Sequence, residues 1–412
     1  MSQILFLVDF EEGHILSTFA LSKALASNNH EVIYLGLAEA ESMIRAQGFR
    51  FFPVLQDIFP QGAVRGLIRS ESLTKRYFSS WVDGRYLDPI LRRLKPDAAV
   101  MFSYYYLEGL TIHFKYHLPL VFVTPNLRVA PRREASRSIV RQLFEIPSGV
   151  PEFVQLISAA GIKLTSLESI ADIVLTMPEL VMLPKALDPV AEHQDSLVFH
   201  VGTGVDLKRT EHSFNWQSID AARPLIYCSL GSQCDIELDT STAFFKVVLE
   251  AFAARPDWQL ILSVGKGFDL GKLSPLPSNV LTSRWVPQIE VLSRASLMIT
   301  HGGLGTVREC LLLEVPMLVF PLMRDQFDAA DLVVRHQLGA KGAIHAVTPE
   351  SLRAMIAELL DSQLIKQRLS EMARLLRQED RISLGAEIIA AAADGAFKSG
   401  TMASARRAAF TR

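Results

Sequence analysis

Cysteine, long apolar runs and an excess of charge of either sign are all scarce in this chain of 412 residues. Its three cysteines, Cys228, Cys234 and Cys310, form no Cys-x-x-Cys pair. This argues against a disulfide framework or a zinc site and favours a reducing, cytoplasmic location. No apolar run reaches the roughly 18 residues of a membrane span, and the apolar N-terminus lacks the basic residue of a signal peptide. We therefore expect no integral membrane segment.

The near balance of charge excludes a further class of protein. Lys and Arg number 42 against 44 Asp and Glu, which gives a net charge of −2. Because binding to nucleic acid usually leaves a basic footprint, we expect no nucleic acid partner. A small anionic ligand needs only a few local dipoles and remains compatible with this composition. A hydrophobic fraction of 49% excludes a mainly disordered chain.

Short apolar runs alternate with helical patterns along the chain. Ile4–Val8 and Val32–Leu35 are predicted strands on either side of an amphipathic helix, and together they make a β-α-β unit. Further strands are predicted at 98–102, 120–123, 173–176, 197–201, 225–230, 260–264, 280–283, 297–300 and 317–320. Helices in the second half are predicted at 242–254, 303–314, 326–337, 349–361 and 363–378. This alternation predicts an α/β protein with parallel sheets.

The length predicts two to three domains, and the polar stretch 206–223, which has no clear period, divides the chain into two similar halves. We predict a Rossmann-like domain over 1–205, a linker over 206–223, a second Rossmann-like domain over 224–395 and a solvated tail over 396–412. Two doubly wound domains of this kind are expected to face each other across a cleft.

The most informative stretch is 284–330, where a predicted strand, Leu297–Thr300, is followed by a glycine-bearing turn and a helix. Glycines allow a close approach of the backbone to a ligand, and a helix N-terminus attracts phosphate. His301 and Thr306 can add hydrogen bonds to the same anion. Glu309 shares a helix face with Thr306 and can accept hydrogen bonds from two ribose hydroxyls, while Trp285 offers a flat face to a base. Together these features predict a nucleotide diphosphate site.

The order and spacing of these residues resemble the signature of the family 1 nucleotide-sugar glycosyltransferases, which include plant, animal and bacterial UDP-glycosyltransferases. The matching residues are Trp285-x-Pro287-Gln288, His301-x-Gly303, Glu309, Pro316 and Asp325-Gln326. Weaker likeness is found in Glu12-Gly13-His14 and in Ser229-Leu230-Gly231-Ser232. The resemblance implies a GT-B fold, in which the first Rossmann-like domain binds the acceptor and the second binds the donor.

The resemblance also implies a role for each matching residue. Trp285 would stack on uracil, Gln288 would contact the nucleoside, and Glu309 would hold the ribose hydroxyls. The diphosphate would bind His301, Gly303 and Thr306 with Ser232 nearby, and the sugar hydroxyls would bind Asp325 and Gln326. The whole implied donor site comprises Ser232, Trp285, Val286, Gln288, His301, Gly303, Thr306, Glu309, Asp325 and Gln326.

His14 matches the general base of the family. The implied reaction is an inverting transfer of a hexose, with glucose the better candidate, from a UDP-sugar or dTDP-sugar. The nucleotide sugar is a co-substrate, and neither a cofactor nor a metal is expected, since no Asp-x-Asp metal motif accompanies the donor site. In the family an Asp near a Pro-Asp pair holds the base, but here Phe102 occupies that position after Pro96-Asp97. Ser103 or one of Tyr104–Tyr106 could replace it, or the base could act without an acidic partner.

Aromatic residues in the first half provide a candidate acceptor pocket for an apolar small molecule such as a polyketide, macrolide or phenolic. Its predicted lining is Phe59, Trp81, Phe102, Ser103 and Tyr104, with ordinary core packing as the alternative. A basic run, Arg132, Arg133, Arg137 and Arg141, is predicted to be a solvated face, or else to meet an acidic acceptor or a membrane surface.

Two other functions fit the same fold. The absence of an Asp at position 102 would suit a catalytically weakened homologue that binds a nucleotide sugar and acts as a partner of another protein. A nucleotide-sugar epimerase or a phosphorylase would use the same architecture. The sequence leaves the acceptor, the choice between UDP and dTDP, and the oligomeric state open.

Overall fold

The computed structural model describes residues 1–9, 11–60, 77, 80–144, 150–159, 166–192, 195–232, 234 and 237–397. Contacts divide the chain into two compact units. The first unit consists of Met1–Gly204 and the C-terminal segment from Arg381, and the second unit is Val205–Asp380. Of the predicted tail, residues 398–412 lie outside the described residues.

The first unit is built on a seven-stranded parallel sheet with the strand order β3-β2-β1-β4-β5-β6-β7. Its strands are β1 Gln3–Leu7, β2 Glu31–Gly36, β3 Arg50–Pro53, β4 Ala98–Phe102, β5 Leu120–Thr124, β6 Glu179–Val181 and β7 Val198–His200. The helices before the second unit are α1 Glu12–Ser27, α2 Glu41–Ala46, α3 Leu87–Leu94, α4 Tyr106–Tyr116, α5 Arg132–Phe144, α6 Val150–Ala159 and α7 Leu167–Val174. Separate apolar clusters contain alternate residues of the same strands, such as Leu5 and Phe6, so both faces of the sheet are covered.

The second unit is built on a six-stranded parallel sheet with the strand order β10-β9-β8-β11-β12-β13. Its strands are β8 Leu225–Ser229, β9 Gln259–Ser263, β10 Val280–Ser283, β11 Leu297–Thr300, β12 Met317–Val319 and β13 Gly339–Lys341. Its helices are α8 Leu238–Ala253, α9 Gln288–Leu292, α10 Leu304–Leu312, α11 Gln326–Arg335, α12 Pro349–Asp361 and α13 Gln363–Gln378. The predicted α/β class with two parallel sheets is therefore confirmed.

The C-terminal boundary predicted for the second domain, residue 395, is wrong. A last helix, α14 Ile382–Ala393, packs on the first unit, where Ala386 and Ile389 join the cluster that contains Ile15 and Phe19. The polar stretch 206–223 is likewise more than a connection, because it belongs to the second unit. Its Trp216 indole donates a hydrogen bond to Glu290 over 2.6 Å.

Two local predictions fail for physical reasons. The predicted strand 173–176 is the end of helix α7, whose Ile170 and Val174 are buried at helical spacing. A short apolar run does not distinguish a buried helix end from a strand.

In the basic run, Arg133 is exposed as predicted, but Arg132 is buried against Glu179, with a guanidinium–carboxylate distance of 2.5 Å. Arg132 is therefore part of the interior rather than of a solvated face.

Candidate active site

The candidate functional residues lie at the carboxyl ends of parallel strands, where α/β sheets usually bind their ligands. In the first unit, Asp9 follows β1 and Tyr104 follows β4, which is the neighbouring strand. In the second unit, Gly231 follows β8 and His301 follows β11, again a neighbouring pair. Sheet topology therefore brings together residues that are far apart in sequence.

His14 lies in the first turn of α1, where it meets two side chains. Its Nδ1 lies 2.8 Å from Oδ2 of Asp9 and 2.7 Å from the hydroxyl oxygen of Tyr104. The Tyr104 hydroxyl in turn donates a hydrogen bond to the same oxygen of Asp9 over 2.7 Å. The Asp9 side chain is only 3% exposed, whereas that of His14 is 17% exposed. This arrangement holds Nδ1 in a network of polar contacts at the end of the sheet.

Sequence reasoning missed Asp9 because it looked for a carboxylate near position 102. The signal was the acidic residue directly after the first apolar run, five positions before His14. Of the replacements considered, Tyr104 does reach His14, but Ser103 instead accepts a hydrogen bond from Thr124 over 2.8 Å. Burial and the negative charge of Asp9 raise the pKa of Tyr104, so its hydroxyl stays protonated at neutral pH.

The five residues predicted to line an acceptor pocket do not form one group. Phe59 and Trp81 each pack against the ring of Tyr77, with centroid distances of 6.0 Å. Phe102 is buried and lies beside His14, with a centroid distance of 5.7 Å, and it stacks on Tyr104 at 5.5 Å. Core packing therefore accounts for Phe102, and Tyr104 belongs with His14.

In the second unit, the ring of His301 lies between two glycines. A Cβ atom at Gly231 would lie 2.5 Å from Cε1 of His301, and one at Gly303 would lie 2.6 Å from Nε2. Burial lowers the pKa of His301 to about 4, although a hydrogen bond with the backbone of Ser229 opposes this shift. His301 is therefore neutral at pH 7. The partial positive charge at this turn comes from the N-terminus of α10, which begins after Gly303.

Gln288 connects the predicted nucleoside residues. Its Nε2 donates hydrogen bonds to Thr306 Oγ1 over 3.2 Å and to Glu309 Oε2 over 2.6 Å, while its Oε1 accepts one from Tyr227 over 3.1 Å. The structure thus brings together Gln288, which the resemblance implied, with Thr306 and Glu309, whose shared helix face the spacing predicted. Glu309 is 3% exposed, which makes its carboxylate a buried charge.

The counter-ion of Glu309 is Arg209, which sequence reasoning assigned to a linker. Its guanidinium donates a hydrogen bond to Oε1 of Glu309 and lies 2.8 Å from the carboxylate of Glu211. Although burial opposes the charge, the carboxylates of Glu309 and Glu211 raise the pKa of Arg209 above its usual value. Glu211 also accepts a hydrogen bond from the backbone N–H of Ile289 over 3.0 Å. The segment before β8 therefore contacts Glu309 of the predicted donor site through Arg209, and Ile289, the neighbour of Gln288, through Glu211.

Trp285 is half-buried, and the ammonium of Lys266 lies 4.6 Å from the centroid of its ring. Lys266 is exposed. The neighbouring Val286 is 3% exposed, so its side chain belongs to the core and only its backbone is suited to a ligand. The predicted stacking residue is therefore Trp285 alone, with a cation on its indole.

Asp325 and Gln326 begin helix α11 after β12. The side-chain oxygen of Gln326 accepts hydrogen bonds from the backbone N–H groups of Leu322 and Met323, over 2.9 and 3.0 Å. Gln326 thus holds this loop in place, and its amide NH₂ is the part of the side chain suited to a sugar hydroxyl. Ser232, in the turn after β8, is half-buried.

Comparisons with known proteins show which families and folds the chain is similar to. A model of the family described as UDP-glucoronosyl and UDP-glucosyl transferase matches residues 201–381. The chain is 32% identical to the oleandomycin glycosyltransferase of Streptomyces antibioticus over 212 residues, which cover 52% of this chain and 48% of that protein. It is 24% identical to the demethyllactenocin mycarosyltransferase of Streptomyces fradiae over 408 residues, which cover 94% of this chain and 86% of that protein.

A solved structure, the glycotransferase of kitacinnamycin, shares the fold with a TM-score of 0.76 and 26% identity, over 95% of this chain and 98% of the other. The two parallel α/β units, the second with a glycine turn at a helix N-terminus, have the GT-B fold that the sequence predicted. The family match covers less than half of the chain, and the chain is similar to the UDP-glycosyltransferases, the nucleotide-sugar glycosyltransferases of family 1.

In the described part of the chain, every helix is too short or too polar to cross a lipid bilayer.

Proposed function

We propose that this glycosyltransferase transfers a hexose from a UDP-sugar or a dTDP-sugar to a hydroxyl group of an apolar small molecule, with inversion at the anomeric carbon. The observation that carries the proposal is the position of His14, whose Nδ1 lies within hydrogen-bond distance of Asp9 and Tyr104. The other ring nitrogen, Nε2, lies 3.4 Å from Oε2 of Glu11, and it is the nitrogen that would accept the proton of an acceptor hydroxyl. A neutral imidazole suits this role because its ordinary pKa lies near physiological pH.

In the proposed reaction, the acceptor oxygen loses its proton to Nε2 of His14 and forms a bond to the anomeric carbon. The bond between that carbon and the diphosphate oxygen breaks on the opposite face, and the nucleotide diphosphate leaves with an additional negative charge. The N-terminus of α10, with Gly303 and Thr306, would stabilise this charge through backbone N–H groups and a hydroxyl. The proposed step therefore proceeds without a divalent metal, and full activity in excess EDTA is the expected result.

For the donor, Trp285 would stack on the base and Glu309 would bind the ribose hydroxyls. Glu309 suits this role because Arg209 and Gln288 fix the direction of its carboxylate while each oxygen can accept a further hydrogen bond. Asp325 and the amide NH₂ of Gln326 would contact the sugar.

The acceptor class rests on the relatives, one named for oleandomycin and one for demethyllactenocin. We extend this to a polyketide, macrolide or phenolic acceptor in this chain. We also propose a cytoplasmic location, since Cys228 and Cys310 are buried thiols outside any disulfide, which suits a reducing compartment.

The test is incubation of the purified protein with UDP-glucose or dTDP-glucose and a panel of macrocyclic and phenolic alcohols, followed by mass spectrometry. An increase of one hexose mass in any acceptor supports the proposal, and NMR of the product determines whether the anomeric carbon was inverted. His14→Ala should abolish transfer while calorimetry shows unchanged nucleotide affinity. Near-normal transfer by this variant would exclude His14 as the base.

Nucleotide binding alone, with no transfer to any acceptor, would favour the partner-protein function instead. That alternative depended on the lack of an orienting carboxylate near Phe102. Asp9 supplies a carboxylate to His14 from another strand end, so this argument against catalysis no longer applies.

A further inference from the structure

The surroundings of His14 carry an inference that rests on the proposed function and deepens it. We propose that Asp9 and Tyr104 act together as positioning residues for His14. Asp9 fixes the proton on Nδ1, and Tyr104 contacts both Asp9 and His14 and so keeps the two side chains in their relative positions. Asp9 would supply the carboxylate that the resemblance to family 1 places at position 102, where this chain has Phe102, the last residue of β4.

The fold gives the pair its geometry. Strands β1 and β4 are parallel neighbours, with Leu7 opposite Met101. The two residues that follow at the carboxyl ends of these strands, Asp9 and Tyr104, are therefore brought to the same edge of the sheet. His14 reaches that edge from the first turn of α1, which starts at Glu12. The three polar atoms, Asp9 Oδ2, Tyr104 Oη and His14 Nδ1, then lie within 2.7 to 2.8 Å of one another.

The carboxylate of Asp9 is held at both oxygens. Oδ1 accepts a hydrogen bond from the backbone N–H of Glu11 over 2.9 Å, and Oδ2 accepts one from the Tyr104 hydroxyl over 2.7 Å. Since the side chain is also 3% exposed, water competes little for these oxygens. A carboxylate fixed in this way can orient an imidazole, because the direction of its lone pairs does not change.

The protons can be assigned in a consistent way. In the proposed assignment, Oδ2 of Asp9 accepts one hydrogen bond from the O–H of Tyr104 and one from the Nδ1–H of His14. With the proton on Nδ1, the lone pair of the neutral imidazole lies on Nε2. If the Tyr104 hydroxyl instead donated to Nδ1, the ring proton would lie on Nε2 and His14 would be no base. Tyr104 is therefore required to point its proton at Asp9, and the negative charge of Asp9 favours that direction.

The titratable groups that face His14 include Glu11 as well as Asp9 and Tyr104. Glu11 Oε2 lies 3.4 Å from Nε2, and its side chain is 18% exposed. Both carboxylates favour the imidazolium that forms when the acceptor loses its proton. Of the two carboxylates, Asp9 contacts Nδ1 at 2.8 Å and Glu11 lies 3.4 Å from Nε2, so the shorter contact with Asp9 favours the proton on Nδ1 in the neutral ring.

The kinetic test uses Asp9→Asn, which preserves shape but offers an NH₂ group that favours the wrong tautomer. We expect kcat to fall by at least about 100-fold with unchanged nucleotide affinity, and the acidic limb of the kcat/KM profile to move to lower pH.

Tyr104→Phe should lower kcat by a smaller factor, about 5- to 50-fold, and Asp9→Glu should restore part of the activity that Asp9→Asn loses. Asp97→Asn is the matched control, since Asp97 binds the backbone of Gln3 at the other end of β1, and its kinetics should be unchanged.

A measurement without turnover separates this inference from the proposed function. The ring nitrogens of His14, assigned by their loss in His14→Ala, should show a neutral tautomer with the proton on Nδ1 in ¹⁵N NMR. Asp9→Asn should shift the population toward the tautomer protonated on Nε2. A wild-type ring protonated on Nε2, or normal kcat and pH profile in Asp9→Asn, would overturn the positioning role. Failure to find any transfer in wild type would count against the proposed function. The tautomer measured by ¹⁵N NMR would still test the positioning role of Asp9 and Tyr104.

Discussion

Arg209 and Glu309 form a buried ion pair between the segment that precedes β8 and the middle of helix α10, with both side chains 4% exposed. The two residues are 100 positions apart in the chain. The pair joins the segment that follows the first unit to the wall of the candidate nucleotide site. A buried charge that loses its partner is far more costly than a lost surface contact, because its desolvation is no longer compensated.

We predict that Arg209→Met lowers the free energy of unfolding by about 3 to 5 kcal/mol, since it leaves Glu309 charged and buried. Urea unfolding measures this directly. Adding Glu309→Gln to Arg209→Met should restore most of the stability. The matched control is Arg223→Met, which breaks an exposed pair with Asp220 and should cost less than about 1 kcal/mol. Equal effects of the two single substitutions would contradict the importance of the buried pair.

His301 should make stability rise with pH between about pH 4 and pH 6.5. Its folded pKa is about 4, lowered by burial, whereas an unfolded His titrates near 6.5. Below pH 6.5 the unfolded chain therefore binds a proton that the folded chain does not bind, and the free energy of unfolding decreases as pH falls toward 4. Compared with the non-titrating His301→Asn, the wild type should gain roughly 3 kcal/mol from pH 4 to pH 7. A pH-independent difference between the two proteins would show that His301 titrates normally.

Glu108 should act in the opposite direction. This residue in helix α4 is 5% exposed, and burial raises its pKa to about 7. The folded chain holds a proton on Glu108 that the unfolded chain releases above about pH 4.5, so stability falls as pH rises from 4.5 to 7. Glu108→Gln should therefore gain roughly 3 kcal/mol relative to wild type between pH 4 and pH 8. Thermal or urea unfolding at these two pH values checks the prediction, and an unchanged difference would place the carboxyl in a more polar environment.

Two glycines near the candidate site should respond differently to alanine. A Cβ at Gly303 would lie 2.6 Å from the His301 ring, which is itself confined by Gly231, so Gly303→Ala should displace the ring and weaken nucleotide binding at least about 10-fold. A Cβ at Gly13, in helix α1, would have no atom within 4 Å. Gly13→Ala should therefore leave the free energy of unfolding unchanged or raise it by up to about 1 kcal/mol. Calorimetry with UDP and urea unfolding of both variants measure these effects. Unimpaired nucleotide binding by Gly303→Ala would show that the turn can move aside.

The sequence predicted those parts of the fold that depend on local pattern. Strands such as Ala98–Phe102 and Leu297–Thr300 are continuous buried runs, and the helices Pro349–Asp361 and Gln363–Gln378 begin at Thr348 and Ser362, which cap them with side-chain oxygens. The glycine turn at His301 was recognisable because close approach and a helix start are encoded by neighbouring residues.

The parts that could not be predicted depend on contacts between distant segments. Asp9 and Arg209 look like ordinary surface charges in sequence, and only the packing of β1 beside β4, and of the segment before β8 beside α10, gives them partners. Helix α14 is apolar around much of its surface, and nothing in its pattern indicates that it returns to the first unit.

That return has a consequence for the order in which the molecule can be made. Helix α14 fills the face of the first sheet near Leu21, where a Cβ at Gly385 would lie 3.0 Å from the leucine and 3.3 Å from Val201. The second unit, Val205–Asp380, is therefore an uninterrupted insertion, and it can complete its core from one continuous piece of nascent chain. The first unit, although synthesised first, keeps an open apolar face until the ribosome has released the residues after Arg381.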